Sequence, residues 1–525
     1  MPFEVPRWTD RIAVEEFNGI PYRIYAERPH RSEQILTLAD RWNERPHLIQ
    51  DERVVSFSGL RRGAADKANE LVKKGVGRGD PVMLLGWNSP DWVMNYWACV
   101  QIGAVPVLAN AWWGESEIDY ALKLLRPVLV LADARTEGKI PAPWPRGTWA
   151  ANENASADVL PPVFEVNARL PGENETAVIV FTSGTEGLAK AVELSHRALL
   201  SGLQMMLHIT KQLPPRFDES KSEIALHTGP LFHVGGPQVM LRSVAMGNTL
   251  IFPSGRYEAA DVLKFIERYK ITRWSAVPTM LNRLLDHPDL ATRDLSSLRS
   301  LGTGGAPVSS SLLERLRTSV PNAKLSVSIG YGLTENTGPA TTSSGADTLK
   351  YPGTCGRPLP CVEIMIEPRP GLPDGEVLIR SPSQMSGYFG MDQSPIDKDG
   401  WLHTGDLGKT DEAGRLWITG RCKDMIIRGG ENIAPAAVES ALMTLPGVVE
   451  ASVFGVPHTD LGEEVMAVVV VDGEQTTGQL KEQLRGKLAS FAIPSLWQLQ
   501  KEPLPTNQTG KVDKAALKAQ AKLRP

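Results

Sequence analysis

The sequence lacks an excess of charge of either sign, a pair of neighbouring cysteines and a long apolar run. Its 525 residues carry 56 lysines and arginines against 60 acidic residues, a net charge of −4, so a nucleic-acid-binding surface is not expected. The four cysteines form no C-x-x-C pair, and we expect buried free thiols rather than metal ligands or disulfides. No basic segment followed by an apolar one opens the chain, and the apolar run 465–471 is far shorter than the roughly 20 residues that span a bilayer. A cytoplasmic protein is expected.

What is present is the composition of a globular protein. Apolar residues make up 42% and charged residues 22% of the chain, which argues against long disordered stretches. The length exceeds what one ordinary core occupies, so several structural units are expected.

The first 180 residues alternate between helix and strand patterns. Apolar residues at positions 57, 60, 64, 68 and 71 predict a helix, and 91–102 predicts another. The runs 81–85 and 103–108 are typical of short buried strands. Strands that alternate with helices predict an α/β fold with mostly parallel, helix-covered sheets.

Strands in the middle of the chain end in glycine-rich segments. The run 177–181 leads into the loop 182–190, and the strands predicted at 274–277, 298–301 and 325–329 end near Pro278, Gly302 and Gly330. Ligands of open α/β sheets bind beyond the carboxyl ends of the strands. The pattern therefore points to one composite site.

The pattern changes near residue 351. Short alternating runs at 362–366, 376–380 and 416–419 predict a small antiparallel, barrel-like β unit over about 351–420. Helices near 436–445 and 479–488 and strands at 448–456 and 465–471 predict a smaller α+β unit. We place the boundary near Arg421 to Lys423, which gives a large domain over 1–420 and a C-terminal domain over 421–525.

The loop 182–190, TSGTEGLAK, has the composition of a phosphate-binding loop. Glycines after a strand expose backbone N–H groups that attract anions, hydroxyls add donors, and a lysine adds positive charge. The loop is not a Walker A motif. By itself it is also compatible with a surface turn. Its candidate residues are Thr182, Ser183, Gly184, Thr185, Glu186, Gly187 and Lys190.

Four further segments offer nucleotide-binding chemistry, although each alone is also compatible with an ordinary turn or a solvated side chain. Glycines allow a purine to lie close to the backbone, and a carboxylate can bind Mg²⁺ or ribose hydroxyls. An arginine offers a planar donor fork, and a lysine on a glycine-containing loop matters only if its domain delivers it into the site. The candidates are Gly304, Gly305 and Ala306; Tyr331, Gly332, Thr334 and Glu335; Asp406 with Arg421; and Lys511.

Together, in this order and spacing, these segments resemble the adenylate-forming superfamily, in particular its acyl-CoA synthetase branch. The resemblance covers nearly the whole chain. Its segments are GAVPVLAN, TSGTEGLAK, PLFHVGG, GTGGAP, GYGLTE, WLHTGD, GRCKDMIIRGGENIAPAAVE and PTNQTGK.

The resemblance implies an enzyme with two half-reactions. A carboxylate attacks the α-phosphate of Mg·ATP and gives an acyl-adenylate and pyrophosphate, and the thiol of coenzyme A then displaces AMP. It implies that Lys511 bridges the carboxylate and the α-phosphate, that Glu335 holds Mg²⁺, and that Asp406 binds the ribose. The resemblance further implies that Arg421 contacts the ribose or a phosphate, and that the loop 182–190 and the segments at 304–306 and 331–334 surround ATP.

The resemblance also implies that the C-terminal domain swings between the two steps. Lys423 matches the hinge position. The loop of Arg428, Gly429 and Gly430 then faces the pantetheine arm of CoA. Arg256 lies where related ligases carry a basic residue for the CoA nucleotide.

The resemblance also indicates which segments line the acid pocket, and it implies that His233 acts as a gate beside that pocket. Its segments are rich in glycine and apolar residues and offer no fixed cation for a second carboxylate. We therefore expect a hydrophobic monocarboxylic acid, either a medium- to long-chain fatty acid or a bulky aryl or alicyclic acid. The pocket residues are His233, Val234, Gly235, Thr303, Gly330 and Leu333.

Three residues depart from the family's phosphate loop, since Ala189 and Ala191 replace the usual proline and glycine and Glu186 replaces a hydroxyl residue. The intact Lys190 and Lys511 still predict an active enzyme. The alternatives are a free-standing adenylating enzyme that passes the acyl group to an amine or carrier protein, and a non-catalytic nucleotide-binding protein. No carrier domain is expected, and the sequence is compatible with a monomer or a homodimer.

Overall fold

A computed structural model describes residues 8–156, 172–182, 189–213, 220, 222–306, 308–320, 325–370, 372, 374–507 and 510–522. The strands in these ranges are β1 Ile12–Phe17, β2 Ile20–Tyr25, β3 Pro46–Gln50, β4 Arg53–Ser56, β5 Pro81–Leu85, β6 Val105–Ala109, β7 Leu129–Ala132, β8 Arg146–Gly147, β9 Thr176–Thr182, β10 Lys190–Ser195, β11 Ile224–His227, β12 Thr249–Ile251, β13 Arg273–Ala276, β14 Ser300–Gly304, β15 Ser326–Leu333, β16 Gly338–Ser344, β17 Arg357–Pro358, β18 Glu363–Glu367, β19 Gly375–Arg380, β20 Gly387–Tyr388, β21 Leu402–Thr410, β22 Leu416–Arg421, β23 Ile426–Arg428, β24 Glu431–Ile433, β25 Val448–His458, β26 Gly462–Val471 and β27 Leu496–Gln500.

The α-helices in the same ranges cover the sheets. They are α1 Glu33–Leu36, α2 Phe57–Lys73, α3 Pro90–Gln101, α4 Glu115–Leu125, α5 His196–Ile209, α6 Gly235–Met246, α7 Ala259–Tyr269, α8 Pro278–Leu285, α9 Ser310–Ser319, α10 Ala346–Lys350, α11 Pro435–Leu442, α12 Thr477–Leu484 and α13 Lys514–Lys522. Within the described part of the chain, no helix is long and apolar enough to cross a bilayer.

Two large sheets form the N-terminal part. Among the described residues, the first sheet has the order β20-β10-β9-β6-β5-β7-β8 and the second has β17-β16-β15-β14-β13-β11-β12-β3-β4. The inner strands of both are parallel, and antiparallel pairs lie toward the edges. Strand β5 has the predicted bounds because its apolar residues are buried on both faces, as parallel strands in α/β folds are.

The two sheets share a central core and each has a second, outer core. Leu84 and Val180 of the first sheet and Leu250 of the second pack in the central cluster with residues of α3, α5 and α6. The outer face of the first sheet packs on α4. The outer face of the second sheet packs on α7, α8 and α9. The predicted α/β fold with two helix-covered, mostly parallel sheets is confirmed.

The glycine-rich strand ends of the second sheet differ from the sequence prediction. The strand predicted at 298–301 lies at Ser300–Gly304, and the one predicted to end near Gly330 continues to Leu333. Gly304 pairs with Gly330, and a Cβ at Gly304 would lie 2.5 Å from the Gly330 carbonyl oxygen. The glycines therefore allow close pairing within the strands rather than ending them.

The remaining sheets belong to the small β unit and the C-terminal part. Strands β18, β19, β21 and β22 form the predicted antiparallel sheet. In the C-terminal sheet, β24, β23, β26 and β25 are joined by β27, with α11 and α12 in the core of one face. Helix α12 ends at Leu484, four residues earlier than predicted, where Arg485 becomes extended before Gly486.

Candidate active site

The Lys511 side chain lies at the carboxyl end of β14. Gly305 follows this strand with φ +74°, and a Cβ there would lie 3.2 Å from Cε of Lys511. A positive φ favours glycine, and its missing side chain leaves room for the lysine. The loop that carries Lys511 also contacts α8, because the Thr279 hydroxyl donates to the Gly510 carbonyl. The fold thus brings the Lys511 loop next to the segment 304–306, far from it in the sequence.

The protein around Lys511 makes its ammonium group more acidic than that of a free lysine. Desolvation by the surrounding protein atoms lowers the pKa of Lys511, and the positive charge of Arg421 lowers it further, while Asp406 acts in the opposite direction. A phosphate or carboxylate oxygen beside the ammonium group would relieve both effects.

Asp406 is a buried carboxylate fixed by two donors. It lies on β21 with 6% of its surface exposed, opposite Arg421 of β22. The Tyr331 hydroxyl donates to Oδ2 at 2.8 Å, and Nε of Arg421 donates to Oδ1 at 2.9 Å. Burial and the neighbouring Asp406 raise the pKa of Tyr331, so its hydroxyl stays a donor. Each carboxylate oxygen keeps a second lone pair for a ligand hydroxyl.

Glu335 is connected to the phosphate-loop lysine by a tyrosine that sequence reasoning missed. Glu335 lies in the 3₁₀ turn Thr334–Asn336 directly after β15, and Oε1 accepts from the Tyr388 hydroxyl at 2.8 Å. Nζ of Lys190 lies 4.7 Å from the centre of the same tyrosine ring. Tyr388 reaches this position because β20 pairs with β10. No local motif marks Tyr388 in the sequence.

Of the predicted phosphate loop, 182–190, the structure describes only the two ends. Thr182 closes β9 and pairs directly with Lys190 at the start of β10. Ala191, one of the departures from the family pattern, is buried in the outer core of the first sheet beside Phe181. The candidates Ser183, Gly184, Thr185, Glu186 and Gly187 lie outside the described residues.

His233 precedes α6 and is half-buried. Its buried Nε2 has no hydrogen-bond partner in the described part of the chain. Burial, followed by the charge of Lys511, lowers the pKa of His233 to about 4. The imidazole is therefore neutral at pH 7. Val234 and Leu333 both pack against the central core.

The register of the strands places two further acid-pocket candidates, Gly330 and Thr303, on opposite faces of the second sheet. Gly330 lies beside Gly304 on one face of the second sheet, whereas Thr303 lies beside Ala276 and Ile329 on the other. Ala276 packs in the outer core, so the Thr303 side chain belongs to the helix-covered face. Gly302 and Gly304 occupy the inner face at this place.

Arg256 lines a cavity of about 540 Å³ next to the Lys511 loop. Arg135 and Arg283 line it too, and the rings of Trp87 and Trp112 meet edge to face at 5.0 Å in its wall. Thr506, Asn507 and Gly510 close it from the C-terminal side. Three arginines and two indoles offer donors for phosphate and flat surfaces for a base.

The predicted CoA loop lies in the C-terminal sheet. Arg428 donates from Nη2 to Oε1 of Glu464 at 3.0 Å, and the glycines 429 and 430 form the turn between β23 and β24. Lys423 is exposed in the 3₁₀ turn Cys422–Asp424, which joins the small β sheet to the C-terminal sheet.

Two protein-family models match most of the chain. The family model described as AMP-binding enzyme matches residues 37–389, and the one described as AMP-binding enzyme C-terminal domain matches residues 437–511. The chain belongs to the AMP-binding enzyme family. The resemblance to the acyl-CoA synthetase branch of the adenylate-forming enzymes is confirmed at this level.

The similar curated enzymes in this family activate different acids. A feruloyl-CoA synthase from an Amycolatopsis species is 33% identical, with 88% of this chain and 93% of the relative covered. A propanoyl:CoA ligase from Mycobacterium tuberculosis is 34% identical, with 90% of this chain and 95% of the relative covered. Its named substrate carries a methylated dioxo-octahydro-indene ring. A long-chain-fatty-acid–CoA ligase from the same organism is 30% identical over 86% and 90%.

Solved structures of the family have the same fold. ATP-bound MatB from Rhodopseudomonas palustris superposes with a TM-score of 0.81 at 28% identity, covering 94% of this chain and 99% of that one. O-succinylbenzoate coenzyme A synthetase from Bacillus subtilis, in complex with ATP and magnesium, gives a TM-score of 0.76 at 28% identity over 93% and 98%.

Proposed function

We propose that the chain is an ATP-dependent acid–CoA ligase that works in two half-reactions. The acid carboxylate attacks the α-phosphate of ATP and releases pyrophosphate, and the CoA thiol then attacks the acyl carbon and releases AMP. The observation that carries the proposal is the position of Lys511 at Gly305, within the electrostatic reach of Asp406 and Arg421. A cation at this point stabilises the negative charge that develops on the α-phosphate as the carboxylate attacks.

The residues around Asp406 suit the nucleoside part of ATP. Asp406 accepts the ribose hydroxyls with its free lone pairs while Tyr331 and Arg421 hold the carboxylate in place. The backbone of Gly304, Gly305 and Ala306 lets the purine approach closely. Thr334, at the start of the turn after β15, supplies a hydroxyl for the α-phosphate.

Glu335 fits a magnesium ion. Its carboxylate is half-buried, follows a strand end, and is oriented by the Tyr388 hydroxyl. Mg²⁺ prefers one or two protein carboxylates together with phosphate oxygens, and when bound it neutralises charge on those oxygens. Lys190 and Thr182 hold the pyrophosphate side of the nucleotide in this proposal.

CoA is the proposed acceptor because the cavity beside the Lys511 loop has the chemistry of its nucleotide part. Arg256, Arg135 and Arg283 would bind phosphates, and Trp87 or Trp112 would pack on the base. For the second half-reaction, the C-terminal domain turns at Lys423, withdraws Lys511 and presents the loop of Arg428, Gly429 and Gly430.

The proposed acid is a hydrophobic monocarboxylic acid of the fatty, aryl or alicyclic type. His233, neutral at pH 7 and half-buried beside Phe232, stands at the entrance to the acid pocket. Gly302, Gly304 and Gly330 carry no side chain on the inner face of the second sheet, so the acid can lie close to the backbone there.

The test is a panel of acids assayed separately for pyrophosphate exchange and for CoA-thioester formation. We expect exchange that requires an acid and Mg²⁺, and a thioester with the same acid when CoA is added. Exchange without a thioester would favour an adenylating enzyme that uses an amine or carrier protein. Absence of exchange with every acid would contradict the proposal.

A further inference from the structure

Ser275 is exposed although it lies on the central strand of the second sheet. In the described strand order, four strands lie on each side of β13. A central strand of an α/β sheet is normally buried on both faces by apolar side chains. The exposure of Ser275 therefore marks open space above the inner face of the sheet.

The strand partners of Ser275 on the inner face form a row of small and polar residues. His227, Ser275, Gly302 and Ser328 are consecutive partners across four neighbouring strands. A Cβ at Gly302 would lie 2.7 Å from Oγ of Ser275 and 3.7 Å from Oγ of Ser328, so the two hydroxyls flank the glycine on one face.

The opposite face of the same strands is apolar. Trp274 and Leu301 pack in the outer core on α7, α8 and α9, and Val327 packs against that core. The polar row is therefore specific to the inner face, where Ala225 of β11 already contacts the central core.

His227 ends the row with unused hydrogen-bonding capacity. The imidazole is half-buried and meets the Phe252 ring edge to face, and its buried Nε2 has no hydrogen-bond partner among the described residues. Burial lowers the pKa of His227 to about 4, so the ring is neutral at pH 7 and offers a hydrogen bond rather than a charge.

The row offers no free cation. Arg273 lies two residues before Ser275 on the same face, but its guanidinium contacts the Glu223 carboxylate at 3.4 Å and the Ser300 hydroxyl at 3.3 Å. A second carboxylate on the acid would find only uncharged polar groups in this row. Such groups suit a neutral oxygen atom on the acid better than a charged one.

The row lies close to the reaction centre. Gly302 is two residues before Gly304, and a Cβ at the next residue, Gly305, would lie 3.6 Å from Nζ of Lys511. Two residues of a strand span about 6.6 Å. An acid whose carboxylate lies at Lys511 and whose body follows the inner face would thus reach the row after about one ring or a short chain.

We propose that His227, Ser275 and Ser328 form a specificity surface that hydrogen-bonds an uncharged oxygen substituent, a hydroxyl, keto or ether group, on the body of the acid. This inference rests on the ligase function proposed above. The specificity surface favours oxygen-bearing ring acids over plain alkyl or unsubstituted aryl acids.

The test uses matched pairs of acids that differ only in the oxygen substituent. The pairs are ferulic with cinnamic acid, a keto-substituted with a plain bicyclic propanoic acid, and a hydroxylated with a plain C12 fatty acid. We expect the oxygenated ring acid of at least one pair to be adenylated with about tenfold or higher kcat/KM.

Variants then assign the preference to the row. S275A, S328A and H227F should each lower kcat/KM for the preferred acid about 5- to 100-fold, because the oxygen substituent of the bound acid loses its hydrogen-bond partner, while the unsubstituted acid changes little. S319A, at the exposed end of α9, is the matched control and should change neither. If H227F does not fold, the two serine variants decide.

The outcomes separate this inference from the function on which it rests. Equal or better adenylation of the unsubstituted acids, or an unchanged preference in the variants, would overturn the inference and leave the ligase function intact. Absence of adenylation with every acid would overturn both.

Discussion

At the scale of single residues, the site depends on how one buried carboxylate is held. Asp406 has 6% of its surface exposed and accepts from Tyr331 and Arg421, which come from different strands. These bonds fix its orientation before any nucleotide binds. Preorganised groups of this kind contribute to binding without reorganisation when the ligand arrives.

Removing the Tyr331 hydroxyl tests this arrangement. In Y331F, Oδ2 of Asp406 loses its donor, and a buried acceptor without a partner costs about 1–3 kcal/mol. We expect a rise of about 5- to 100-fold in the KM for ATP in pyrophosphate exchange, with a larger loss in D406A. Y269F, whose hydroxyl donates to the Asp51 carbonyl away from the site, is the control. Unchanged ATP kinetics in Y331F would show that Asp406 needs no orienting partner.

At the scale of elements, the Gly405 backbone directly before Asp406 in β21 is held by a side chain from the neighbouring strand. Glu376 of β19 has 4% of its surface exposed and accepts from the Gly405 backbone N–H at 2.9 Å, while Arg369 pairs with its other oxygen. His403 lies 3.5 Å from the same carboxylate. We therefore assign Glu376 as a positioning residue for β21.

E376A should leave the Gly405 N–H and the Arg369 guanidinium without their acceptor. We expect a loss of about 1–3 kcal/mol in the free energy of unfolding and a rise in the KM for ATP. E376Q keeps an acceptor for Gly405 and should retain most ATP affinity, and E412Q, at an exposed position between β21 and β22, is the control. A destabilised E376A enzyme with an unaltered KM for ATP would limit Glu376 to a structural role.

The strands and the site were not equally predictable from the sequence. Strand β5 was predicted residue by residue, since a short apolar run is clearly bounded. The end of β14 was wrong, because glycines that usually break strands pair closely here with Gly330. The Lys511–Gly305 contact joins distant parts of the chain, and Tyr388 reaches Glu335 only through the pairing of β20 with β10, so no local pattern encodes either.

At the scale of the whole molecule, buried neutral histidines make stability depend on pH. Burial lowers the pKa of His47, His196, His227 and His233 from 6.5 to about 4. Between these values the unfolded chain binds protons that the folded chain does not, so stability rises with pH across this window. It is lost as pH falls from about 6.5 towards 4.

The substitution H47Q isolates one of these groups. Nδ1 of His47 pairs with the Asn248 carbonyl at 2.9 Å, and glutamine keeps a donor without the titration. Relative to the wild type, H47Q should lose less stability between pH 7 and pH 5, by about 1–3 kcal/mol in denaturant titrations. L349Q, at an exposed position on α10, introduces a glutamine without removing a titratable group and should leave the pH dependence unaltered. Parallel curves for H47Q and the wild type would contradict the assignment.

In the proposed mechanism, Lys511 acts in adenylation and is withdrawn for thioester formation. The measurement is to compare K511A with the wild type in pyrophosphate exchange and in CoA-thioester formation from supplied acyl-adenylate, with K518A, exposed on α13, as the control. We predict that K511A loses exchange by at least about 100-fold and keeps thioester formation near the wild-type rate. Equal loss of both half-reactions, or retained exchange, would contradict the account.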